Sequence, residues 1–130
     1  MADKKTRYKI PGGVREEAKR GRTLRTMHGY GGGKVTKAIN YRLRVQKDVG
    51  YRTAVKIDTY YRRHEDVDPK GENFDNRKKP SKRYIMWKMM GGNSGQSWSK
   101  RLKKSLDVIQ QAERLNKINR TLEEIHGMVR

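Results

Sequence analysis

The chain has 130 residues, with 33 Lys plus Arg against 14 Asp plus Glu, a net charge of +19, 32% hydrophobic residues and no cysteine. That length fits one domain with a small core; the missing cysteine excludes a disulfide framework and a thiolate metal site, and no apolar run approaches the roughly 18–20 residues of a membrane span. Crowded cations repel one another until something neutralises them, so the charge predicts a polyanionic partner, nucleic acid first.

Residues 1–10 form a basic arm carrying Lys4, Lys5, Arg7 and Lys9. Like charges in a block are expected to stay solvated or to lie along a phosphate backbone. The arm lacks the apolar run of a signal peptide. Ile10-Pro11-Gly12-Gly13 ends it, since Pro11 holds Ile10 extended and the glycines free the turn.

The first helix is predicted from Val14 to His28, with Val14, Ala18, Gly21 and Leu24 on one face. Gly21 in mid-helix costs about 1 kcal/mol against Ala, which predicts close packing there. Gly29-Tyr30-Gly31-Gly32-Gly33 stops the helix. It is not a phosphate loop: no strand precedes it, and Gly33-Lys34 leads to Val35 rather than to Ser or Thr.

The second helix is predicted from Lys34 to Gln46, with Val35, Ile39 and Leu43 inward. The third runs from Tyr51 to Arg63, with Ala54, Ile57 and Tyr61 inward. In outline the three resemble a helix-turn-helix arrangement. Residues 1–47 hold fourteen Lys/Arg against three Asp/Glu. The electrostatic footprint is therefore expected on the arm and first two helices, from Arg15, Lys19, Arg20, Arg22, Arg25, Lys34, Lys37, Arg42 and Arg44. Arginine adds bidentate grip on phosphate.

The stretch from Tyr60 to Trp98 holds both tryptophans and the only phenylalanine, so the core is expected to centre there. Within it, Asp66-x-Asp68-x-Lys70-Gly71 echoes a calcium loop but has Lys70 at the fifth position and Arg77 at the twelfth. His64, Glu65, Asp66 and Asp68 could serve a metal; ion pairing or helix capping is the simpler use of those acids. No metal, cofactor or catalytic residue is expected, and binding rather than catalysis is the predicted activity.

Ser81 is the predicted N-cap of a fourth, buried helix from Lys82 to Met90. Gly91-Gly92 ends it, and Asn93 or Ser94 is expected to cap a long final helix from about Gly95 to His126. Lys100, Arg101, Lys103 and Lys104 form a second basic cluster at its start. Further on, Val108, Leu115, Leu122 and Val129 lie seven apart, and Ile118 and Ile125 follow two of them by three. This heptad-like seam either folds back on the bundle or docks on another chain, a second copy or a virion protein.

The expected fold is thus an all-α domain of four to five helices with a long C-terminal helix. It divides into an arm (1–10), a helical domain (11–104) and a heptad-like tail (105–130).

The chain also carries Tyr8-Lys9-Ile10-Pro11, Ala18-Lys19-Arg20-Gly21, Arg63-His64 before Val67-Asp68, Ser81-x-x-x-Ile85-x-Trp87 and Gly91-Gly92-x-x-Gly95-x-x-Trp98. Over roughly residues 7–104 it resembles a small domain family of uncharacterised bacteriophage proteins. It departs from that family at Asn93, where the family often has Asp, and at Gln96, where it often has Arg. The resemblance implies a phage origin, hence a place in the host cytoplasm or virion, and brings no known activity. DNA is the expected nucleic acid, held mainly through phosphates, with affinity falling roughly 10³-fold or more from 50 to 200 mM salt for six or more contacts. The alternatives are a virion structural or assembly protein docking through its tail, and an inhibitor of a host nucleic-acid enzyme.

Overall fold

The computed structural model describes residues 3–64 and 80–128. The acidic loop around Asp66 and Asp68, and Val129 at the end of the seam, lie outside the described residues. Among those described, the order is β1 (Tyr8–Lys9), α1 (Gly12–His28), α2 (Lys34–Val45), β2 (Asp48–Val49), α3 (Tyr51–Arg63), α4 (Lys82–Met89) and α5 (Gly92–Met128). The protein is all-α with a long C-terminal helix, and the one sheet among the described residues is a two-residue antiparallel pairing, Tyr8 with Val49 and Lys9 with Asp48. No helix among the described residues is long and apolar enough to cross a membrane.

α1 packs on α4, α2 and α5 because small residues bring backbones together. A Cβ on Gly21 would lie 2.6 Å from both the carbonyl carbon of Lys88 and the Cα of Met89, so only glycine fits. Between the helices sits one polar side chain, Asn40, which is 1% exposed. Its Nδ2 donates to the carbonyls of Ala18 and Met89, each at 2.9 Å, and its Oδ1 accepts from Arg44 Nε at 2.8 Å. An unpaired amide there would be costly, so the three bonds let α2 join α1 and α4.

Ser81 caps α4, accepting from the Tyr84 backbone N–H at 3.0 Å. α4 ends in a left-handed turn at Gly91 (φ 118) and Gly92 (φ 60), and α5 starts at once from Gly92, earlier than the sequence suggests. Asn93 caps nothing: its Oδ1 accepts from the Trp87 indole at 3.0 Å. The rings of Tyr61 and Trp87 meet edge to face at 4.9 Å, and the Tyr61 hydroxyl donates to the Gly92 carbonyl at 2.8 Å. Burial pushes the phenols of Tyr60 and Tyr61 well above the ordinary tyrosine range. The rings from Tyr61 to Trp98 thus hold the core's centre, joined by Val14, Ala18, Ile39, Leu43 and Ile57 from the earlier helices.

Three expectations need correction. The N-terminal segment is not simply a solvated arm, since Tyr8 and Ile10 are buried, Tyr8 and Ser105 hydroxyls lie 2.8 Å apart, and Ile10 N–H donates to the Lys47 carbonyl. Val35 shares the spacing of Ile39 and Leu43 but is 58% exposed, because the first turn of α2 projects past the core. The first three helices do not close into one helix-turn-helix unit: α1 packs on α2, but α3 packs chiefly on α5, and β2 separates it from α2 along the chain. In α5, Leu106 and Ile109 are buried, and every residue from 111 to 128 is exposed.

Candidate nucleic-acid interface

α2 and the start of α3 frame a groove of about 900 Å³, closed on one side by the N-terminal segment. Lys34, Ala38 and Arg42 follow at i, i+4 spacing along α2, and Arg52 and Lys56 do so on α3, so each helix turns a stripe to the groove. Lys4 and Arg7 reach it from the N-terminal side. These six cations make up half of the lining among the described residues, and none of the other six is acidic.

Ion pairs divide the six. Arg7 Nη2 lies 2.7 Å from Asp48 Oδ1, and Lys4 Nζ lies 2.5 Å from Glu113 Oε1, so both charges are partly neutralised from within. Lys34, Arg42, Arg52 and Lys56 are exposed and enter no ion pair among the described residues. Both framing helices also begin at the groove. Their N-caps, Gly33 and Gly50, supply no side-chain hydrogen bond to the first turn. The first backbone N–H groups of each helix, which have no intrahelical acceptor, therefore receive none from a cap side chain either, and both dipoles add positive potential beside the four cations. The arrangement suits phosphate oxygens held by mobile cations and backbone donors together.

The other candidate cations scatter. Arg15 is not available to a ligand, because its guanidinium donates to the carbonyls of Arg44, at 2.6 Å, and Gln46, closing the C-terminal end of α2. Arg25 Nε donates to the Gly31 carbonyl at 2.9 Å and fastens the glycine loop. Lys19 and Arg20 lie 3.6 and 3.7 Å from Glu16 and Glu17. Lys9, Arg22 and Lys37 are exposed outside the groove lining, and Lys5 faces a separate cleft against α5. Lys100 and Lys103 border a small cleft with Asp58 and Arg62, while Arg101 and Lys104 are simply exposed.

Arg52 and Lys56 are groove residues that sequence reasoning did not select. Their signal was an i, i+4 cation pair just after Gly50, on a helix read only for its inward face. His64 Nδ1 lies 2.7 Å from the Tyr60 carbonyl oxygen, and its ring lies 4.3 Å from that of Tyr60. Among the described residues no three His, Cys, Asp or Glu side chains gather as a metal set.

Comparison with family models, curated proteins and solved structures finds no match.

Proposed function

We propose that the protein binds nucleic acid without catalysis, gripping phosphates in the groove between α2 and α3. The observation that carries this reading is the convergence of Lys34, Arg42, Arg52 and Lys56 on one concave surface with no acid among its described lining residues. Phosphate contacts give affinity and register without sequence readout. DNA in a phage setting, in the host cytoplasm or the virion, agrees with the family that residues 7–104 resemble. Four phosphate contacts imply an affinity that drops roughly 10²-fold between 50 and 200 mM salt. Fluorescence anisotropy on labelled DNA and RNA of mixed sequence, titrated with salt, tests this. A flat titration, or no binding in dilute buffer, refutes it.

The exposed stripe on the last part of α5 favours a second reading, an assembly role in the virion with the tail as the docking element. A chain ending at Gln110 keeps the buried Leu106 and Ile109 while removing most of the stripe. If that chain still enters virions, the tail is not the docking element.

A further inference from the structure

Val108, Leu115, Ile118, Leu122 and Ile125 are 44–61% exposed along α5. In proteins most helical stability comes from packing an amphipathic face, and this face packs on nothing among the described residues. Spacings of three and then four fix the register. Leu115 and Leu122 take the a positions of a heptad, and Ile118 and Ile125 the d positions. A seam of that period is matched by another helix of the same period.

Charge narrows the choice of occupant. Residues 105–130 contain four Lys/Arg and four Asp/Glu, so the whole net charge of +19 lies in residues 1–104. The tail is thus electrically unlike the groove and suits a neutral helix. A second tail supplies one, but only one orientation is complementary. Side by side in parallel, two copies would set Lys100, Arg101, Lys103 and Lys104 against themselves, and Leu at a with Ile at d disfavours a parallel pair. Head to tail, Leu115 faces Ile125 of the second copy and Ile118 faces Leu122 of the second copy. That overlap brings Arg114, on the flank of the seam, towards Glu124 of the second copy, twice by symmetry, and sends the two basic domains to opposite ends.

We propose that the tail of α5 pairs antiparallel with the tail of a second copy. This deepens the assembly reading by naming the partner, and it is independent of the groove. Multi-angle light scattering on nuclease-treated protein in high salt, at high micromolar concentration, should give twice the 15.3 kDa chain mass. The Ile118→Asp/Leu122→Asp variant should give the single mass with unchanged tryptophan emission, since both positions are exposed. The chain has no cysteine, so orientation can be read by cross-linking. Mixed Ile118→Cys and Leu122→Cys chains should oxidise to the heterodimer, whereas Ile118→Cys alone should not link to itself. A single-chain mass for the unmodified protein overturns the pairing, and self-linking of Ile118→Cys overturns its direction. Either failure leaves DNA anisotropy to judge the groove, and virion entry of the tail-deleted chain to judge the assembly reading.

Discussion

The side-chain amide of Asn40 on α2 donates to the main-chain carbonyl of Met89 at the end of α4, 2.9 Å away, and so joins residues 49 positions apart in the chain. The same nitrogen serves the Ala18 carbonyl. Asn40→Ala would remove the donor shared by the Ala18 and Met89 carbonyls and the acceptor of Arg44 Nε, and is expected to cost roughly 2–3 kcal/mol. Urea denaturation followed by tryptophan emission reads the change, and a loss below ~0.5 kcal/mol would show the amide to be dispensable.

Gly21→Ala tests packing against propensity. Helix propensity alone favours alanine by about 1 kcal/mol. The added methyl would enter the backbone of Lys88 and Met89, where nothing flexible can give way. Overpacking of this kind costs about 1–3 kcal/mol, so the net change is destabilising. A raised denaturation midpoint would mean that α1 and α4 are further apart than described.

Arg15 and Arg42 separate stability from affinity. Arg15→Ala removes donors from the carbonyls of Arg44 and Gln46 and should lower stability by ~1–2 kcal/mol while leaving DNA affinity nearly unchanged. Arg42→Ala removes an exposed groove cation and should do the reverse. Paired melting and anisotropy measurements on both variants check the crossing pattern.

Charge removal within the groove should also flatten the salt dependence. Arg42→Ala/Arg52→Ala is expected to reduce the slope of log affinity against log salt by about two, whereas Arg22→Ala outside the groove leaves it close to the parent value. Equal slopes for both variants would disperse the binding surface over the whole molecule.

Alkaline pH should weaken the fold. Burial raises the folded-state pKa of Tyr60 and Tyr61 above the ordinary value of 10.0. Below that value both states hold the phenol protons and the stabilisation is complete. Above it the unfolded chain ionises first, so stability declines as pH rises toward the folded-state values. Denaturation midpoints measured at neutral pH and above pH ~10 should therefore diverge, and less so for Tyr61→Phe.

Much of this architecture was legible in the residues. Apolar spacing marked each helix, Gly21 announced a close approach, and Ser81 announced a cap. The β1–β2 pairing was not legible, because two residues per strand carry no alternation to detect. Val35 misled because periodicity reports a face without saying whether the core reaches it. The groove was half legible. Lys34 and Arg42 stood out as cations, but their meeting with Arg52 and Lys56 is tertiary, set by how α3 leaves β2. Arg15 showed the converse, since nothing local tells an arginine that holds two carbonyls from one that awaits a phosphate.

α5 runs unbroken for 37 residues, about 55 Å, and between Gln96 and His126 it has neither proline nor glycine. A helix without such breaks does not hinge. Trp98 and Leu106 anchor its near half in the core, so the far half inherits a set bearing relative to the groove. Whatever grips the far end is held at a constant reach and angle from the cations, as by a strut and not by a leash.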